Sequence, residues 1–451
     1  MSLKGLKENF GYGILRVFVD IRPGEAAKAL LLALNIFLLL LAYYLIKPVR
    51  EALLLVDKDA PRIKSYLSGA QAVLLVFVIM GFSWLASKVA RHRLITWVTL
   101  FFISNLVVFY ILHLAGVGAG AMGIIFFIWV GIFNLLVVAQ FWGFANDLYS
   151  PEAGKRIFPL IAFGATFGAV VGSRIAKFII RPFGLYNMML LSGTLLVLCI
   201  LLAVFIHQRE IRLSDPEGRS EKPAQERPLK PGDGFSLVIK TRYLLFIALA
   251  IMIYNFINTV GEYIISDVAT RAGLAAVARG EVESMEVFIG RFFSEYQFLA
   301  NILALIIQLF LVSRIFRWLG VGGALFILPF IALGGYAFIS LGATLLLVKW
   351  VKSLENGTDY SLMNTTKAAL FLVTLREEKY KAKAAIDTFF VRGGDALAAL
   401  SVFVGTTFLA MSIEKFAVLN IAFVLLWIMI SLLIYKHYKR RKDRAEGPVP
   451  T

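Results

Sequence analysis

Between Lys349 and Asp395 a polar stretch, KWVKSLENGTDYSLMNTTKAALFLVTLREEKYKAKAAIDTFFVRGGD, stands between two strongly apolar flanks. On a helix, Asn356, Tyr360, Asn364 and Lys367 fall at i, i+4, i+8 and i+11. That spacing makes one stripe of two amides, a phenol and an ammonium. Inside a membrane span such groups are costly, so they mark a binding surface or a polar face packed on neighbouring helices. A helix lying at the membrane surface is the third reading. A second stripe lies near the start of the chain. Tyr43, Lys47 and Arg50 fall at i, i+4 and i+7, with Glu51 beside them. These two cations either bind an anion or snorkel to headgroups. Pro48 between them predicts a kink that opens the helix toward a cavity. Asn255, Asn258 and Glu262 form a third stripe at i, i+3 and i+7. A carboxylate there needs a cation, a proton or a salt bridge to the next helix.

Cationic stripes of this kind suit an anionic substrate. Lys47, Arg50, Lys367 and Arg392 supply forks and point charges that could converge on phosphates from both halves of the chain. Asn258, Tyr360 and Asn364 offer hydrogen bonds to the polar parts of such a substrate. Glu262 offers a partner for a lysine, a bound cation or a proton. No cofactor is called for. The four histidines are scattered with no metal-ligand spacing, and the lone Cys199 excludes an internal disulfide. Gly154-Lys155 is not a phosphate loop, because Tyr149 stands where the first glycine would be and Arg156 where Ser or Thr would be. No ATP-hydrolysing module is visible, so any transport is driven by gradients or exchange, and the chain is not read as an enzyme.

The elements that must carry these stripes are membrane helices. Hydrophobic residues make up 59% of the 451, and mean hydropathy is +0.79. Soluble domains sit nearer 45–50% apolar. The length accommodates about twelve spans of ~20–25 residues. Apolar runs place them near 27–47, 66–88, 95–115, 121–147, 158–180, 186–207, 243–266, 296–313, 321–342, 344–372, 384–411 and 415–436. The net charge of +17 reads as basic loops on one side of the membrane, not as a nucleic-acid surface. Residues 208–242 form a polar, proline-bearing linker between an N-terminal half (27–207) and a C-terminal half (243–436). Residues 1–26 read as a cytoplasmic amphipathic segment, and 437–451 as a basic cytoplasmic tail. Both termini then share the cytoplasmic side of a cell inner membrane, and the chain is expected to be a monomer in the bilayer. A faint repeat at a constant offset of 225 relates 150–168 to 375–393. The expected fold is all-α and polytopic, two pseudo-symmetric bundles of six helices in the manner of major facilitator transporters. Gly164, Gly168 and Gly172 are small-xxx-small steps for close helix packing.

Several stretches together resemble the ATP/ADP translocases of plastids and obligate intracellular bacteria. They are FWGFANDL (141–148) with KRIFPL (155–160), and DYSLMNTTK (359–367) with KAKAAIDTFFVRGG (381–394). LIKPVREALLL (45–55) matches the first-span pattern of that family less tightly. The resemblance implies alternating-access exchange of nucleotides, with Arg50, Glu262 and Lys367 at positions that matter for transport. The family also has a glutamate early in the fourth span. Here IIFFIWVGIFNLLVV is apolar, and Asn134 is the nearest polar residue. Two alternatives stand beside nucleotide exchange. One is a proton-coupled carrier of another solute, with Glu262 titrating. The other is a non-transporting membrane protein on a transporter fold.

Overall fold

The computed structural model describes residues 25–89, 91–213, 231–374 and 378–446. The segment 1–24, most of the linker (214–230), Arg376 among the basic loop residues and the last five residues lie outside the described residues.

All regular structure among the described residues is helical. In chain order α1 is Ala26–Leu54, α2 Ala60–Lys88, α3 Arg91–Leu114, α4 Ala119–Asp147, α5 Pro151–Phe183 and α6 Leu185–Leu213. A short helix, Pro231–Lys240, precedes α7, Arg242–Ala278. The run Met285–Ala324 is α8, Ile327–Leu341 is α9, residues 345–370 form α10, Lys383–Thr407 is α11 and Ile413–Glu446 is α12. Ten of these are long and apolar enough to cross a membrane, and α9 is a shorter apolar helix. Eleven of the twelve stretches expected from hydropathy each coincide largely with one of these helices; the stretch 321–342 runs from the end of α8 across α9, and α10 is not among the ten spanning-length apolar helices. The all-helical polytopic architecture read from the sequence is the one observed.

Local sequence explains where helices start and stop. Ser150 Oγ accepts from the Ala153 amide at 3.4 Å, Pro151 fills the first helical position and Glu152 sits at the positive end of α5. Ser284 caps α8 in the same way through the Val287 amide, and Thr344 caps α10 through Leu347. Gly320 has φ +66°, a conformation open to glycine, and breaks the α8 run ahead of α9. Pro48 lies inside α1, which continues to Leu54.

The chain divides into two compact units. The first comprises 1–51 and 78–224, and the second 52–77 and 225–451. In the first, Gly164, Gly168 and Gly172 press α5 against the backbone of α1. A Cβ added at Gly168 would stand 2.3 Å from the Phe37 carbonyl oxygen. The stripe of small residues is thus a packing seam, as its spacing predicted. α6 is tied to α1 by Asn35 Nδ2 donating to the Cys199 carbonyl at 2.8 Å and by Ser192 Oγ donating to Ala42 at 3.0 Å. Phe102, Phe109, Phe126, Trp129 and Phe133 stack between α3 and α4 at centroid separations of 5.0–5.6 Å. Lys28 donates to Glu210 at 2.8 Å and to the Leu148 carbonyl at 3.1 Å, and its ammonium lies over the Tyr149 ring. Burial, then the carboxylates of Glu210 and Glu25, push the Tyr149 phenol well above its ordinary pKa.

In the second unit α7 is the central helix. α11 approaches it at Gly394, where a Cβ would meet the Met252 carbonyl at 2.4 Å. Trp427 and Phe423 of α12 pack on Tyr254 and Phe256 of α7, at 5.3 and 4.1 Å. The opening turns of α2 belong to this unit by packing. A Cβ on Gly69 would stand 2.7 Å from the Ala399 Cβ, and Tyr66 Oη lies 3.5 Å from Thr406 Oγ1.

Candidate functional site

In the first unit, Tyr43, Lys47 and Arg50 lie along α1 as the spacing predicted. Tyr43 is buried and packs on Phe133 of α4. The Lys47 ammonium lies 5.0 Å from the Tyr44 ring centroid and 5.8 Å from that of Tyr43. The Arg50 guanidinium sits over Phe127 at 4.7 Å, and its Nε donates to Glu51 Oε1 at 3.0 Å. Glu51 is 1% exposed, so this pair is largely shielded from solvent. Aromatic faces on α1 and α4 hold both cations in place of lipid headgroups. α4 contributes rings here, in keeping with its apolar fourth-span sequence.

In the second unit, α7 presents Asn258, Glu262 and Ser266 at i, i+4 and i+8, and two polar layers form along this face. In the first layer, Tyr296 of α8 donates to Glu262 Oε1 at 2.8 Å. Lys64 of α2 lies 3.6 Å from Glu262 Oε2 and donates to Ser266 Oγ at 2.9 Å. Asn356 of α10 donates to Tyr296 Oη at 2.6 Å. Glu262 is therefore in an ion pair with the neighbouring helix, one of the partners its stripe called for.

The second layer was not read from the sequence. Lys352 of α10 is wholly buried, donates to Asn258 Oδ1 at 3.0 Å and lies 3.1 Å from Glu355 Oε1. Tyr336 of α9 donates to Glu355 Oε2 at 3.0 Å. Gly261 makes the room. A Cβ there would stand 2.2 Å from Tyr336 Oη and 2.7 Å from Lys352 Nζ. Charges this deep persist only when paired and hydrogen-bonded, and both conditions hold.

The remaining candidates are held by other partners. Lys367 is held by Asp359 Oδ1 at 3.1 Å and by the Tyr254 ring at 4.6 Å, and it lines a small pocket with Leu325, Met363 and Trp427. Arg392 pairs with Asp395 at 3.1 Å, and Asp395 also accepts from Thr259 Oγ1 of α7 at 2.8 Å. Tyr360 and Asn364 are exposed and Asn356 is buried. A π-helical turn occupies Asp359–Met363. The wider turn rotates everything after it relative to a 3.6-residue stripe. Such turns recur here, at Ile307–Leu311, Glu378–Ala382 and Ile386–Phe390.

Carboxylates therefore accompany Arg50, Lys64, Lys352, Lys367 and Arg392. An anion bound at any of these cations would have to exchange places with a protein carboxylate. That suits reversible binding better than permanent capture.

Comparisons with known proteins bear on family and fold. A family model described as the TLC ATP/ADP transporter matches residues 122–438. The chain is 24% identical to ADP,ATP carrier protein 1 of Chlamydia muridarum, over 85% of this chain and 83% of that one. It is 23% identical to ADP,ATP carrier protein 2 of Chlamydia pneumoniae, over 96% and 92%. For carrier protein 1 of C. pneumoniae and of C. trachomatis, the match spans only 57% and 54% of the relative's length. Among solved structures, the nucleoside transporter NupG superposes with a TM-score of 0.61 at 12% identity, covering 91% of this chain and 99% of that one. A bacterial homologue of the human lysosomal transporter Spinster gives 0.57 at 14%, covering 94% and 99%. These share its fold. With a family model matched over more than two thirds of its length, the chain belongs to the TLC ATP/ADP transporter family.

Proposed function

We propose that this protein carries adenine nucleotides, or a closely similar phosphorylated anion, across a membrane by exchange and alternating access. Its membership of the ATP/ADP transporter family is the observation that carries this reading. The cations on otherwise apolar helices supply the chemistry: Lys47 and Arg50 on α1, Lys64 on α2, and Lys352 and Lys367 on α10. Asn258 and Tyr43 are polar neighbours suited to a base or a ribose. We place the protein as a monomer in a cell inner membrane with both termini cytoplasmic, following the basic loops. Its two pseudo-symmetric halves are 27–207 and 243–436, with the linker 208–242 between them.

Lys367 tests this reading through its partner. In a phosphate-binding role its ammonium leaves Asp359 for the ligand. Lys367→Ala then weakens nucleotide affinity roughly ten- to a hundredfold, about 1.5–3 kcal/mol. Lys367→Arg restores only part, because a planar fork does not sit where a compact ammonium did. Asp359→Asn should tighten binding, since the competing carboxylate is removed. Isothermal titration of the purified protein with ATP and ADP measures all three. Unchanged affinity in Lys367→Ala removes Lys367 from the site. No heat from the wild-type protein at millimolar nucleotide removes the nucleotide.

A further inference from the structure

On the first unit, a cavity of about 250 Å³ opens between the first turns of α3 and the last turns of α4 and α6. Arg93 and His207 stand in its lining, while Trp97, Phe144, Ala203 and Val204 give it apolar walls. At the end of α2, just before α3 in the chain, the Lys88 ammonium covers the Trp84 ring at 4.1 Å. Trp84 and Trp97 are 61% and 58% exposed. Exposed tryptophans flanked by Lys and Arg mark the depth of the lipid headgroups. The cavity thus combines a cationic lining with an apolar groove at that depth.

We propose that this cavity is a binding site for an anionic glycerophospholipid. The phosphate sits against Arg93 and His207, and one acyl chain lies along Phe144, Ala203 and Val204. The charge selects the headgroup, because basic pockets between membrane helices attract acidic lipids. The groove selects a lipid over a free anion, because inorganic phosphate or a nucleotide phosphate gains nothing from apolar walls. The assignment is independent of the transported substrate. It uses none of the residues placed on the cationic stripes.

The test is lipid retention by the full-length protein. The protein is reconstituted in nanodiscs of equal parts phosphatidylglycerol and phosphatidylcholine, extracted in mild detergent and weighed by native mass spectrometry. Preferential retention of phosphatidylglycerol is expected, with a thermal shift that phosphatidylcholine and inorganic phosphate do not reproduce. Arg93→Gln removes one phosphate contact and should lower the preference about five- to tenfold. Val204→Trp fills the groove with the charge intact and should lower retention of phosphatidylglycerol by a similar factor. Arg93 is exposed and Val204 partly so, and both variants should remain folded and monodisperse. Equal retention of the two lipids by the wild-type protein overturns the proposal. So does an undiminished preference in Arg93→Gln, or a thermal shift with inorganic phosphate alone that matches the lipid's.

Discussion

Replacing Lys352 with methionine is expected to destabilise the protein by about 3–5 kcal/mol, the usual cost of stranding one member of a buried ion pair. Lys352 and Glu355 are 0% and 1% exposed, 3.1 Å apart, in the core of the second unit. Without the ammonium, Glu355 keeps only the Tyr336 hydroxyl, and Asn258 loses its donor. The carboxylate must then protonate or draw in water. Pairing the change with Glu355→Leu removes the stranded charge and should recover most of the loss, since apolar replacements of both partners are commonly neutral or better. Gly261→Ala should act on the same cluster from the α7 side. Its methyl would overlap both Tyr336 Oη and Lys352 Nζ, which leaves the pair nowhere to sit. Thermal and denaturant unfolding in detergent would show the order. If Lys352→Met and the double variant unfold alike, the buried pair is not the source of the effect.

The second large effect is expected in transport and involves Lys64 with Glu262. Lys64 is held between Glu262, Ser266 and the Phe293 ring, and Glu262 reaches Asn356 through Tyr296. This layer joins α2, α7, α8 and α10, so a substrate that displaces either charge is felt by four helices. Lys64→Met should cut uptake roughly ten- to a hundredfold, the equivalent of one lost charge-assisted bond. Exchanging the two, Lys64→Glu with Glu262→Lys, should restore part of it. Glu262→Gln keeps an acceptor for Tyr296 but removes the charge. If Glu262 carries a coupled proton, that variant flattens the pH dependence of uptake and spares equilibrium binding. If it only pairs with Lys64, binding itself changes. Wild-type uptake by Lys64→Met would detach this layer from transport.

Much of this arrangement was legible in the residues. Apolar runs located the helices, whereas the start of α5 at Pro151, capped by Ser150, lies ahead of the run read near 158–180. The glycine steps of α5 announced a close helix contact because only a missing Cβ permits one. The stripe of Tyr43, Lys47 and Arg50 also kept its face, as a regular helix must. Which members of the α10 stripe are exposed, Tyr360 and Asn364, and which buried, Asn356, was not legible, because the spacing assumed 3.6 residues per turn and a π-helical turn occupies Asp359–Met363. Lys352 and Glu355 were overlooked for a different reason. An i, i+3 pair of opposite charge reads as a solvated surface pair, and only Gly261 and Tyr336, far away in sequence, reveal that it is buried. Lys64 lay just ahead of the apolar run taken as the second span. Its burial depends on partners in α7 that no local pattern announces.

The account stands most directly on nucleotide exchange. Purified protein in liposomes loaded with ADP should take up labelled ATP from outside. That uptake should saturate, should depend on the ADP inside, and should fall in Lys367→Ala and Lys64→Met liposomes with the same protein content. Folded, monodisperse protein that takes up no ATP or ADP whatever nucleotide is loaded inside would contradict it.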